Sequence, residues 1–163
     1  MINNDDGRAA RRRLVFGLVG MGLLAPLVAC GKGNKRMEKE ITLAVVMYSY
    51  LNRPIIDVHF NGNDLGVSGP YGSTGIVTGV RIPFGAQTLT WRLDGPDGTP
   101  RNGDTIQVKN ALTVSAGQIA PATRYLGLHI YPDFSAEIMF SDDMPDFSPR
   151  GEKLLQKRDA HAR

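Results

Sequence analysis

Apolar and polar positions alternate along most of the chain after residue 40, and the alternation has a period of two. Ile41, Leu43, Val45 and Met47 interleave with Thr42, Ala44, Val46 and Tyr48. Such a run of branched and aromatic residues predicts a strand buried on one face. Asn52-Arg53-Pro54 breaks it. Ile56, Val58 and Phe60 then alternate with Asp57, His59 and Asn61. Asn61-Gly62-Asn63 predicts a hairpin turn, because Asn and Gly both accept positive φ, and Leu65 to Val67 supplies a short return strand. Residues 40 to 68 thus read as a first hairpin unit.

From Gly69 to Gly79 the glycines predict a long loop with a short strand at Ile76 to Val80. Pro83 to Gly85 reads as a turn into a strand in which Leu89, Trp91 and Leu93 face one way and Thr88, Thr90 and Arg92 the other, closed by Asp94 to Gly98. Thr105 to Lys109 follows. Tyr125, Gly127, His129 and Tyr131 alternate with Leu126, Leu128 and Ile130, and a turn at Pro132-Asp133 leads to Ala136, Ile138 and Phe140. About seven short strands with no helical crossover between them predict an all-β fold, an antiparallel β-sandwich of Ig-like or open-barrel form. Nineteen glycines and ten prolines agree, since both weaken helix interiors. Residues 145–163 are polar, with at most two helical turns around Glu152 to Arg158, and read as a mobile tail after a domain at 40–144.

The first 29 residues have a different pattern. Arg11 to Arg13 precede the apolar stretch Leu14 to Ala29, and small Ala29 precedes Cys30, which is the layout of an export signal. A transmembrane helix needs about 20 apolar residues, and this stretch is shorter and interrupted by Gly17, Gly20, Gly22 and Pro26. Leu27-Val28-Ala29-Cys30 resembles a bacterial lipobox. The resemblance implies cleavage between Ala29 and Cys30, a diacylglyceryl group on the Cys30 sulfur, and acylation of the new amine. Burial of acyl chains contributes about 0.8 kcal/mol per CH₂, so two or three chains hold where one does not. The bilayer is then the first partner, reached through acylated Cys30. Arg11-Arg12-Arg13-Leu14-Val15 faintly resembles a twin-arginine signal, but Leu14 stands where phenylalanine is usual, which favours the general route. Gly31, not aspartate, follows the cysteine, and the lipoprotein pattern then implies the outer membrane, facing the periplasm.

Cys30 is the one cysteine of the chain. The exported part therefore folds in an oxidising compartment without a disulfide, and its core carries its stability. Residues 30–39 are polar and glycine-containing and form a tether; nine extended residues reach about 30 Å, so the domain stays near the lipid. The net charge of +3 does not indicate nucleic acid. Arg8, Arg11, Arg12 and Arg13 fall before Cys30 against only Asp5 and Asp6, so the remainder is nearly balanced, with its bases clustered at the two ends.

Candidate chemistry is sparse. No serine stands in a G-x-S-x-G setting, and acylated Cys30 is not a free nucleophile. His59 and His129, with Asp57 or Asp133, could supply a metal or acid-base site, but no H-x-H or H-E-x-x-H spacing joins them. His161 lies in the tail. Asp142, Asp143 and Asp146 lack the alternate-ligand pattern of a calcium loop. Arg53, Arg101 and Arg124 are isolated. Tyr48, Tyr50, Tyr71, Tyr125 and Tyr131 are aromatic anchors for a protein interface, whereas Trp91 reads as core. The partner-binding set chosen from these is Tyr71, His129, Tyr131 and Asp133. No catalytic, metal or cofactor residue is assigned, and the chain reads as not an enzyme.

The phrases "GTPRNGDTIQVKN" and "TRYLGLHIYPDFSAEIMFSDDMPDFSPRG" resemble small Gram-negative lipoproteins, some encoded beside type VI secretion phospholipase effectors. The resemblance implies an immunity protein, a membrane-anchored binder that occludes a toxin in the periplasm. Two other readings stand beside it. One is a structural or assembly lipoprotein of the envelope or of a secretion system; the other is a small hydrolase or metal-binding module using His59 and His129.

Overall fold

The computed structural model describes residues 39–161; the leader, Cys30 and the tether up to residue 38 lie outside the described residues. Ten strands follow in order: β1 Glu40–Ser49, β2 Ile55–Phe60, β3 Asn63–Ser68, β4 Val77–Pro83, β5 Gly85–Gln87, β6 Leu89–Leu93, β7 Thr105–Gln107, β8 Leu112–Val114, β9 Tyr125–Ile130 and β10 Ala136–Ser141. A 3₁₀ turn at Ala116–Gln118 precedes β9, and a helix, α1, spans Pro149–His161. One sheet has the order β10-β9-β1-β4 and the second β3-β2-β6-β7, while β5 and β8 pair by themselves. The fold is an all-β sandwich, and no sheet among the described residues closes into a barrel.

The alternation read from the sequence maps directly onto the two inner faces. Leu43, Val45 and Met47 from β1, and Leu126, Leu128 and Ile130 from β9, meet Val58, Phe60, Leu89, Trp91 and Leu93 from the second sheet in one continuous core. Trp91 is fully buried, as its place in the pattern predicts. The β2–β3 hairpin turns on Asn61 and Gly62 at φ 49° and 77°. Two successive positive φ values match the strand twist at a two-residue turn, which is why Asn-Gly serves there.

Three features differ from the sequence expectation. Among the described residues the strands number ten rather than about seven, because β5 and β8 have three residues each and show no period of their own. Nor is the sandwich wholly antiparallel: β1 and β9 run parallel, Ala44 opposite Tyr125 through Ser49 opposite Ile130. A parallel pair needs a long crossover, and here the whole second sheet supplies it in place of a helix.

The third difference is the C-terminal segment. Residues 145–163 read as a mobile tail, yet the described part folds into α1 and lies on the outer face of the first sheet. Ser148 caps the helix: its carbonyl accepts from Glu152 N–H at 2.9 Å and its Oγ from Gly151 N–H at 3.0 Å. Pro149 occupies the first helical position, where its missing N–H costs nothing. Leu154 and Leu155 pack on Val46, Tyr48, Tyr50 and Tyr131, forming a second small core. That cover explains why the later residues of β1 and nearly all of β9 are buried on both faces, instead of alternating.

Candidate functional site

The outer face of the first sheet carries the chemistry of the domain. Because β1 and β9 are in parallel register with Tyr48 opposite His129, the odd-numbered polar positions of β9 fall beside the even-numbered aromatic positions of β1. The imidazole of His129 stacks against Tyr48 at 5.1 Å between ring centroids and against Tyr50 at 6.0 Å, and Tyr50 stacks in turn on Tyr131 at 5.3 Å. Phe147 meets Tyr48 edge-on at 5.3 Å. The rings form one tier of aromatic groups between the sheet and the 145–148 segment.

Hydrogen bonds tie this tier to the helix cap. Tyr131 Oη donates to Glu137 Oε2 and lies 2.7 Å from Ser148 Oγ. Ser148 N–H donates to Tyr50 Oη at 3.2 Å, and Tyr50 Oη lies 3.1 Å from His129 Nδ1. Tyr48 Oη donates to the Pro145 carbonyl. The tautomer of the imidazole decides which of Tyr50 Oη and His129 Nδ1 donates to the other. Nε2 is buried without a hydrogen-bond partner. A Cβ on Gly127 would stand 3.0 Å from it and 3.1 Å from Pro145 Cβ, so the ring edge is closed by backbone and proline.

Burial sets the protonation of the cluster. It pushes His129 down to about 4, against a smaller upward pull from the Glu137 carboxylate. Burial also raises the phenols of Tyr48, Tyr50 and Tyr131. The imidazole is thus neutral near neutral pH, with Tyr48 stacked beside it and the Tyr50 hydroxyl at Nδ1.

Above the cluster, Arg150 lies 3.8 Å from the Tyr131 ring centroid and donates to Asp133 Oδ2 at 3.0 Å and Ser135 Oγ at 2.9 Å. The Ser135 hydroxyl, donating at 2.7 Å, and the Arg150 guanidinium hold the Asp133 carboxyl down at about 2. Beyond Arg150 a cleft of about 310 Å³ opens between the last turns of α1 and the loops that follow β1, lined by Tyr50, Asn52, Tyr71, Leu154, Lys157 and Arg158 among others.

The partner-binding set read from the sequence is therefore divided. His129 and Tyr131 are fully buried beneath α1 and present no surface. Their strand parity does put them on the polar face, but that face is covered. Asp133 is exposed and paired with Arg150, and Tyr71 is half-buried at the cleft. Ala29 and Cys30 lie outside the described residues.

The pairing of His59 with His129 fails on geometry. His59 sits on the solvent face of β2 with Nδ1 2.8 Å from the Asp57 carbonyl, and the sandwich core separates it from His129. Asp57 pairs with Arg92 at 2.9 Å. Among the described residues no three His, Cys, Asp or Glu side chains converge as a metal site. Arg53 is structural: it donates to the carbonyls of Asp94 at 2.9 Å and Pro100 at 2.7 Å.

Glu137, Ser148, Arg150, Lys157 and Arg158 escaped the sequence reading. The Ser148-Pro149 pair is a helix-start signal that could have found the first of the helix contacts. No helix among the described residues is long and apolar enough to cross a membrane. No family model, curated protein or solved structure matches the chain.

Proposed function

We propose that this chain is a membrane-anchored lipoprotein of the periplasm whose sandwich domain binds a protein partner and catalyses no reaction. The observation that carries the reading is the run Leu27-Val28-Ala29-Cys30 after an arginine-led apolar stretch, followed by a short polar tether into β1. Supporting it, the hydrogen bonds of His129, Tyr50, Tyr131 and Ser148, with exposed Glu137 at their edge, fasten α1 to the sheet. A general base needs reach to a substrate proton, and of the two ring nitrogens of His129, Nδ1 meets Tyr50 Oη while Nε2 is buried beside Gly127 and Pro145. The partner we favour is a toxin of the type VI phospholipase class, which the sequence resemblance names, and the chain then acts as its immunity protein.

Labelling with a radioactive fatty acid tests the anchor. The native chain takes the label and fractionates with membranes, and Cys30→Ser loses the label; a Cys30→Ser chain that keeps it ends the proposal. Protection tests the partner. Cells that carry the lipidated chain survive a periplasmically delivered phospholipase effector at higher frequency than cells without it, and equal survival with every effector encoded nearby rejects the immunity role.

A further inference from the structure

We infer that the cleft beside the C-terminal half of α1 is the seat for a carboxylate-bearing anchor of a protein partner, an acidic side chain or chain terminus next to an apolar residue. The inference rests on the proposed protein-binding role and specifies which surface performs it.

The chemistry of the walls points to such a group. Lys157, Arg158 and His161 come from the last turns of α1, and among the described residues no carboxylate lines the cleft. Tyr50 and Leu154 give it an apolar floor. A mixed lining with cations at one side suits an amphipathic anion better than an inorganic ion or an apolar group. At about 310 Å³ it lies at the small end of ligand pockets, room for an anchor side chain and its neighbour.

The two cations differ in what holds them. Arg92, Arg101, Arg150 and Arg158 are each engaged by an acid at 2.7–3.0 Å. Lys157 forms no ion pair among the described residues. Arg158 gives Nε and Nη2 to Asp159 Oδ1, which leaves Nη1 for a ligand. Bases at a helix C-terminus complement its dipole; that explains their sign but not a cleft with an aromatic wall.

That wall is held in advance of binding. Tyr71 adopts φ 50°, a conformation uncommon for a bulky residue, and its N–H donates to the Leu51 carbonyl at 2.8 Å. Its ring lies 4.9 Å from the Arg158 guanidinium carbon. Aromatic and arginine side chains fixed beside one another are the groups on which interface energy concentrates.

Position sets the cleft apart from the point of attachment. The tether joins the domain at Lys39, at the start of β1, whereas Tyr50 and Asn52 follow its end. Ten strand residues at about 3.3 Å each separate the two ends by about 30 Å. The cleft opens at the end of β1 remote from the attachment.

The test is an NMR titration of the full chain in neutral detergent micelles. The probe is an N-acetylated tripeptide ending in Phe-Asp with a free C-terminus, and the control is the same peptide ending in Phe-Asn-amide. The acidic peptide is expected to shift the resonances of Tyr71 and residues 154–161, with affinity falling about tenfold in the Lys157→Ala/Arg158→Ala variant and unchanged in Arg92→Ala. Both sites are exposed, and unchanged spectra elsewhere will confirm that the variants fold. Equal binding of the neutral peptide, shifts elsewhere, or undiminished binding by the double variant overturns the inference. So does the finding that only micelles doped with phosphatidylglycerol shift these resonances, which would make the cleft a lipid contact. Acylation of Cys30 does not enter this measurement, so a failed anchor and a failed cleft are separate results.

Discussion

Gly151 lies against the phenol ring of Tyr50 so closely that a methyl group at that position would overlap the ring. The third residue of α1 is therefore chosen by the sheet beneath it and not by helix propensity, for which glycine is about 1 kcal/mol worse than alanine.

Gly151→Ala is expected to destabilise the domain by about 1–3 kcal/mol, the usual cost of overpacking a filled site. Propensity alone predicts the opposite sign. Urea midpoints compared with the native chain decide between them, and limited proteolysis should show cleavage in 145–161 rising in the variant.

His129 gives the fold a pH dependence. Above its ordinary value of 6.5 the imidazole is neutral in both the folded and the unfolded chain, so it contributes no pH dependence there. As pH falls below 6.5 the unfolded chain binds a proton that the native state refuses until about 4. Stability therefore declines with falling pH through this window, by about 3 kcal/mol in all, and levels off below it. His129→Gln should flatten that part of the profile, measured as urea midpoints against pH. Asp133 acts lower: its carboxyl, held at about 2, costs stability only as pH falls below its ordinary 3.8.

Ser148 and Tyr131 should behave as one unit. Ser148→Ala removes the helix cap and a partner of the Tyr131 hydroxyl, for an expected loss of about 1–2 kcal/mol. Tyr131→Phe leaves Glu137 and Ser148 each short of a bond, a loss of about 1–3 kcal/mol. The double variant should lose less than the total of the two, and a thermal-denaturation cycle will measure the coupling.

Arg150→Ala tests the surface layer above them. Its pair with Asp133 and its place over Tyr131 are about half exposed, so the loss should be below about 1 kcal/mol and shrink as salt is raised. A large, salt-independent loss would show that Arg150 is instead part of the buried network.

Trp91 is buried with its Nε1 unpartnered. Trp91→Phe removes that orphan donor along with some packing, and should cost far less than the about 3–5 kcal/mol of Trp91→Ala. Far-ultraviolet circular dichroism is the readout, since the chain has one tryptophan.

What the chain determined by itself is the parity of each long strand. Branched and aromatic residues at every second position put Val45, Phe60, Trp91 and Leu128 on the inner faces, and Asn61-Gly62 set the first hairpin, because a period of two and a positive-φ turn are local properties. The three-residue strands β5 and β8 are too short to show a period, and the parallel β1–β9 pairing joins residues some eighty positions apart, beyond any local signal.

The site was legible in the same partial way. Parity placed His129 and Tyr131 on the polar face with Tyr48 and Tyr50, but whether that face meets water depends on α1, whose apolar stripe amounts to Leu154 and Leu155. So few apolar groups cannot hold a helix on the sheet alone. The Ser148 cap, the fit of Gly151 on Tyr50 and the hydrogen bonds to Tyr131 complete the attachment, and each forms only when strand and helix meet. The burial of the histidine, the fall in its basicity and the cleft at the helix end are all products of that docking.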